Sequence, residues 1–314
     1  MINIARISSV HRSGYKAILN QSEISCRLAG FVDTSCGELP VVGDFVKLDS
    51  DGYITEILPY KNKIARQSAG ARKADEQVLA TNIDHAFIVT SMNNDFNPRR
   101  LERYIAFLQM QSIDCHIVLT KADICDDIGF YAEQSRALGL DGDIIVTSSV
   151  DGRGFEDIAT LLSHGETAVF VGSSGVGKSS IINYLLGKHV QAVKEVRGGD
   201  DKGKHTTTHR ELFMLENGAC IIDTPGMREL QFSVGDGELT AFADVDALAK
   251  DCKFRDCKHE SEPECAVLAA IERGELPAER LKSHKKLERE AEGARMRNRL
   301  KEKNMDKKSN RKKF

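Results

Sequence analysis

The residues best suited to chemistry are Gly172-Ser173-Ser174-Gly175-Val176-Gly177-Lys178-Ser179, which satisfy the spacing G-x-x-x-x-G-K-[ST]. They follow the strand-like TAVFV and precede the helical SIINYLLG, which opens at Ser180. Glycines at these positions let the backbone curl so that successive N–H groups point at the phosphates of a nucleotide, and the helix N-terminus adds a field that favours anions. Lys178 would add a point charge on the phosphates and Ser179 a hydroxyl ligand for Mg²⁺. Further on, Asp223-Thr224-Pro225-Gly226 follows ACII. That spacing puts a carboxylate at the C-terminal end of a buried strand, where open α/β sheets bind their ligands. Asp223 could reach the Mg²⁺ shell from there.

The base is read from Thr120-Lys121-Ala122-Asp123, which ends the strand-like CHIVL. A carboxylate at Asp123 can accept two hydrogen bonds, from guanine N1–H and from its exocyclic amine. Adenine has an acceptor at N1 and no amine there, so it would leave the carboxylate unpaired. Sites built on such bonds reject the analogue lacking them far better than apolar pockets do. The tetrapeptide alone is weak, since Lys and Asp after a strand also serve as solvated turn residues. A second strand, DIIV, delivers Thr147-Ser148-Ser149, suited to close over the base edge.

Between the phosphate loop and Asp223 lies VRGGDDKGKHTTTHRELF, glycine-rich and charged, the composition of a mobile switch loop. One of Thr206, Thr207 and Thr208 is expected to bind Mg²⁺ through its hydroxyl, with Thr207 or Thr208 favoured by nearness to the following strand. Behind Gly226, Cys252-x4-Cys257-x-His259-x5-Cys265 offers three thiolates and one imidazole in a short polar segment. A closed tetrahedral zinc site of structural type fits this donor set; unligated thiols are the alternative, because the spacing departs from the commonest C-x-x-C. The remaining cysteines are scattered and suggest no disulfide framework.

These residues need elements to hold them. With 314 residues, 41% hydrophobic and 29% charged, the chain exceeds one ordinary core and calls for two or three domains. Residues 1–68 read as five short strands, INIARISSV, GYKAILN, EISCRLAGF, DFVKL and YITEIL, which suggest a closed OB-type β-barrel. Such a barrel is a common RNA-binding surface and can equally be a spacer. Residues 69–232 alternate apolar strands (HAFIVTS, CHIVLTK, DIIVTSS, TAVFVGS, ACIIDTP) with helical stretches, the pattern of a parallel sheet with crossover helices. Residues 233–314 read as helical and Cys/His-bearing, which suggests a zinc-binding domain with a basic C-terminal helix.

The net charge of −3 conceals an asymmetry. From Glu279 to Phe314 there are 15 Lys+Arg against 6 Asp+Glu, leaving 29 against 41 elsewhere. Either an RNA anchor or a solvated helix accounts for such a tail. No run approaches the roughly 20 apolar residues of a membrane span, and the N-terminus lacks a secretory pattern, so no membrane partner and a cytoplasmic location are expected.

Phosphate loop, DTPG and [NT]-K-x-D together resemble the GTPase superfamily, but TKAD and TSS precede the phosphate loop, so the order is circularly permuted. With VGDFV in the barrel, HTTTHREL after the phosphate loop and the Cys/His cluster behind DTPG, nearly the whole chain resembles the RsgA family of small-subunit-dependent, circularly permuted GTPases. The resemblance implies a multidomain α/β fold of OB barrel, permuted P-loop GTPase domain and zinc domain. It also implies a monomer that binds GTP and GDP, with the small ribosomal subunit and its rRNA as partners. Thr120 replaces the commoner Asn, a substitution that family tolerates. Ras-like GTPases carry Gln after DxxG; Met227 stands here and cannot orient water, so slow intrinsic turnover is expected. The resemblance implies that His205 takes that role once a partner orders the loop; an exposed histidine beside a Thr run is the plainer reading. Two functions compete: a GTP hydrolase assembling the small subunit, and an RNA-binding module that senses guanine nucleotides with incidental hydrolysis. TKAD disfavours an ATPase or kinase.

Overall fold

A computed structural model describes residues 3–34, 39–67, 76–187, 210–223, 242–254, 256–278, 280–286, 288–289, 292 and 296. The N-terminal strands β1 (Asn3–His11), β2 (Gly14–Leu19), β3 (Ser22–Thr34), β4 (Phe45–Leu48) and β5 (Tyr53–Ile57) form a closed barrel. Strand β1 pairs with both β2 and β4, and β3 runs parallel to β5, which gives the ring order β1-β2-β3-β5-β4. Alternation explains closure, since Ala5, Ile7, Ala17, Cys26, Val46, Leu48, Ile54 and Ile57 all point into one buried cluster.

After Arg66 the chain turns polar through QSAGARKADEQ. Strands β6 (Lys63–Gln67) and β7 (Glu76–Thr81) flank it as an antiparallel pair, and their apolar residues Ile64, Val78, Leu79 and Ala80 are buried. Short length and a charged intervening segment hid this pair from pattern reading.

Beyond it, β8 (His85–Ser91), β9 (Asp114–Thr120), β10 (Ile144–Val146), β11 (Thr167–Val171), β12 (Glu211–Met214) and β13 (Cys220–Asp223) order as β10-β9-β8-β11-β13-β12. All these pairings are parallel except β12 with β13. Helices α1 (Pro98–Gln109), α2 (Ile128–Arg136), α3 (Phe155–Thr160) and α4 (Lys178–Leu185) accompany this sheet. Local chemistry starts them: Asn97 caps α1 with Pro98 in its first turn, and Asp127 caps α2 by accepting from Phe130 N–H. Its strands carry apolar side chains on both faces, one set packing with α1 and the other with α3 and α4. Helices α5 (Ala243–Lys250) and α6 (Ala266–Glu272) follow, and no described helix is long and apolar enough to cross a membrane.

The barrel meets the sheet along a polar seam. Ser9 of β1 bridges Glu211 of β12, and the buried Arg6 reaches across from β1 to donate to the Asn82 and Gly43 carbonyls at 2.9 and 3.3 Å. Asn82 donates to the same Gly43 carbonyl, and Thr81 donates its hydroxyl to Asp44 at 2.6 Å. The VGDF loop must therefore lie flat against Thr81. Gly43 permits this, with φ of +97° and a position where a Cβ would stand 2.3 Å from the Thr81 carbonyl oxygen.

At the other end, Arg280 is buried between Asp244 and Glu102 of α1, its guanidinium 5.0 Å from the centre of the Phe242 ring. Leu281 and His284 are buried beside it, so the start of the basic tail, residues 280–286, is helix packed on the body rather than a free arm.

Gly43→Ala and Gly52→Ala form a matched pair, because Gly52 shares a positive φ of +82° but has nothing within 4 Å of an added Cβ. Conformational strain of about 1–3 kcal/mol is common to both. Urea unfolding should show a clearly larger loss for Gly43→Ala; equal losses would mean that the seam tolerates the intrusion.

Candidate functional site

Parallel pairing places the ends of β8, β9, β10, β11 and β13 along one edge of the sheet, so loops far apart in sequence meet there. Gly172 leaves β11 with φ of +145°, and a Cβ there would lie 2.1 Å from the Val89 carbonyl oxygen of β8. The chain then turns through Ser173, Ser174, Gly175, Val176 and Gly177 into α4, which begins at Lys178 and continues through Ser179 and Ser180. Lys178 folds over its own loop and donates to the Gly172 and Ser173 carbonyls at 2.9 and 2.6 Å. Val176 is buried under the loop, whereas Ser174 and Gly175 are exposed.

Asp223 ends β13 beside this loop, close enough for the Lys178 charge to act on it. Burial nonetheless dominates and raises its carboxyl to about 6; Lys178 pulls the value down and Glu211 pushes it up. A carboxylate held partly protonated by burial gains most from a divalent cation, whose charge would restore the ionised form.

The TKAD residues sit on the other side of the phosphate loop. Thr120 is buried and does not face open space: its hydroxyl donates to the Val176 carbonyl at 2.6 Å, and its methyl group lies against Gly177. It ties the two loops together, which spacing alone did not reveal. Lys121 adopts a left-handed conformation, φ 64°, that turns the chain into the short helical turn Ala122–Ile124. Ala122 N–H donates to the Thr147 carbonyl, and Ser148 donates its hydroxyl to Asp123 Oδ1 at 2.9 Å. The exposed Asp123 is thus oriented by the buried Ser148, with Ser149 exposed next to it. Sequence reading placed Ser148 near the base but gave no sign that it grips Asp123.

Of the other expected site residues, His205, Thr206, Thr207, Thr208, Gly226 and Met227 lie outside the described residues.

The Cys/His cluster assembles as its donor set requires. Ligand atoms of Cys252, Cys257, His259 and Cys265 all lie within 4.8 Å of one another. A tetrahedral zinc with ordinary bond lengths needs S···S near about 3.8 Å and S···N near about 3.6 Å. Cys252 Sγ lies 3.8 Å from Cys265 Sγ and 3.6 Å from His259 Nδ1, and His259 Nδ1 lies 3.3 Å from Cys265 Sγ. The residues present fit one ion. Cys265 also caps α6 through the Leu268 N–H, so the cluster fixes the start of a helix as well as a loop.

Residues 57–233 match the family model described as RsgA GTPase. The chain is 44% identical to "Small ribosomal subunit biogenesis GTPase RsgA 2" of Lactiplantibacillus plantarum, over 91% of this chain and 83% of that relative. It is 40% identical to "Small ribosomal subunit biogenesis GTPase RsgA" of Methanosarcina acetivorans, over 90% of this chain and 78% of that one. Among solved structures, a protein titled "YloQ, a circularly permuted GTPase" is 27% identical with a TM-score of 0.65, covering 93% of this chain and 96% of that chain. YjeQ from Thermotoga maritima, 24% identical, has a TM-score of 0.68 over 93% and 99% of the two chains, a likeness of fold.

The raised Asp223 carboxyl has a pH consequence. Its folded value, about 6, exceeds the unfolded one, so its contribution to stability is present at low pH and is lost as pH rises through about 6. In nucleotide-free protein, Asp223→Asn should raise the urea midpoint at pH 7.5 and have little effect near pH 4. An equal effect at both would show that Asp223 ionises without cost.

Proposed function

This chain belongs to the RsgA GTPase family, and we propose that it hydrolyses GTP to GDP and phosphate as a late assembly factor of the small ribosomal subunit. The observation that carries the reading is the junction of Asp123, gripped by Ser148, with a phosphate loop tied to the same strand through Thr120. One edge of the sheet then offers a guanine-selective carboxylate and an anion-binding turn together.

In this reading Gly172 to Ser180 wrap the phosphates, Lys178 exchanges its two backbone carbonyls for phosphate oxygens, and Asp123 pairs with the base while Lys121 and Ala122 shape its loop. Mg²⁺ held by Ser179, with Asp223 behind it, would neutralise charge on the phosphates. Thr207 or Thr208 and Gly226 would respond to the γ-phosphate, and His205 would orient water once the subunit orders its loop. The cluster of Cys252, Cys257, His259 and Cys265 would hold one structural zinc, which supplies folding energy to a segment with little apolar material. We assign residues 1–68 to the barrel, 69–232 to the nucleotide domain and 233–314 to the zinc module. A monomer in the cytoplasm fits this role.

The ion pairs of Arg280 supply a route for coupling, since they join the C-terminal module to α1 of the nucleotide domain. RNA contact falls to the barrel and to the tail beyond the packed helix. Residues 297–314 alone carry nine Lys+Arg against two Asp+Glu. Neutralising phosphates with these side chains releases counterions, so subunit affinity should fall steeply with salt.

Phosphate release from GTP and from ATP, measured with and without small subunits, tests the proposal. GTP should turn over slowly alone and much faster on subunits, with ATP inert in both. A chain lacking residues 297–314 should keep its GTP affinity, bind subunits more weakly and show a flatter salt dependence. Guanine-nucleotide binding with no hydrolysis in either condition would favour the sensing module instead.

A further inference from the structure

The edge of the sheet opposite the nucleotide loops carries a chain of titratable side chains that the proposed reaction does not use. His85 opens β8 and His116 lies in β9, with His85 Nδ1 and His116 Nε2 3.3 Å apart. His116 is buried and His85 only partly so, and Phe87 stacks on the His116 ring. On the outer sides, His85 Nε2 faces Glu166 Oε2 at 3.3 Å and His116 Nδ1 faces Asp143 Oδ2 at 3.2 Å. The Asp143 backbone N–H also donates to His116 Nδ1, and Glu166 accepts from the Ser163 N–H. Asp84 and Asp114 are the remaining carboxylates close by, and Asp84 is occupied by Lys61 and by the Thr167 N–H.

Proton counting restricts what this chain can do. In the neutral pair, Nδ1 of His116 accepts from Asp143 N–H, so its proton sits on Nε2 and is donated to Nδ1 of His85. His85 then carries its own proton on Nε2, toward Glu166. That contact is at ion-pair distance but outside hydrogen-bond geometry, and Nε2 has no other partner. One added proton fits: His116 Nδ1 becomes a donor to the Asp143 carboxylate, and the positive charge lies between two carboxylates. Two added protons do not fit, because N–H groups on His85 Nδ1 and His116 Nε2 would point at each other across 3.3 Å.

We propose that His85 and His116 form a one-proton relay between Glu166 and Asp143, an acid-responsive clasp on the strand starts of the nucleotide-binding sheet. Three of the four elements it joins continue into the phosphate and base loops: β9 into TKAD, β10 after Asp143 into Thr147-Ser148-Ser149, and β11 after Glu166 into the phosphate loop, while β8 lies hydrogen-bonded between β9 and β11. Uptake of the proton replaces the Asp143 N–H contact by a carboxylate contact where β10 starts beside β9, roughly 13–17 Å from the base loops at about 3.3 Å per strand residue. Burial, then the His85 charge, holds His116 below the ordinary histidine value, while Asp143 and Asp114 oppose this. Its share of stability is therefore present above the unfolded value, about 6.5, and lost as pH falls through the lower folded value.

Imidazole ¹⁵N spectra of the full-length protein, followed from pH 8 to the lowest pH at which it stays folded, test the relay. The two rings should shift together in one transition that takes up a single proton, and His116 should be Nε2-protonated at high pH. Asp143→Asn, at an exposed position, should move the shared midpoint down by about 0.5–1 pH unit. Independent transitions that add a proton to each ring, or a midpoint unmoved in Asp143→Asn, would overturn the proposal.

Discussion

Strand β11 is the constraint on which the rest depends. It is buried along its whole length and hydrogen-bonded on one side to β8 and on the other to β13, which arrive from opposite directions in the sequence. A one-residue slip would turn Val169 and Val171 out of one core and Ala168 and Phe170 out of the other. Fixed register therefore fixes where the phosphate loop emerges relative to Asp223 and TKAD. Circular permutation leaves this arrangement intact, because a sheet edge depends on which strands are neighbours and not on the order in which the chain visits them.

Permutation changes what the loops are attached to. The chain enters the nucleotide domain from the barrel through β7 and β8, and its C-terminal module returns to α1, the helix that follows β8. Two buried arginines hold these attachments. Arg6 is satisfied by carbonyls, and Arg280 by two carboxylates and a ring. Removing a carboxylate partner of the buried Arg280 would leave its charge uncompensated, at a cost of about 3–5 kcal/mol, whereas an exposed pair such as Lys16–Glu23 contributes little.

Much of this was legible beforehand because the signals were local. The five barrel strands, the parallel β/α pattern, the phosphate loop in its strand-to-helix context and the four clustered Cys and His donors all announce themselves through local spacing. What escaped was non-local. Thr120 looks like a base-loop residue and acts through the Val176 carbonyl. Arg280 reads as one more positive charge in a basic tail and is instead a buried anchor. His85 and His116 are separated by a helix and a loop, and only strand pairing brings their rings together. Sequence periodicity marks which face of an element is apolar; it does not say which polar group will find which carbonyl.

We propose that one sheet edge, built in permuted order, reads guanine through Asp123. Nucleotide binding by Asp123→Asn tests it most directly, with xanthosine triphosphate as the second ligand, since its 2-oxo group replaces the guanine amine. GTP affinity should weaken by at least about tenfold, the loss of roughly one charged hydrogen bond, and xanthosine triphosphate affinity should rise. Unchanged GTP affinity in that variant would contradict it.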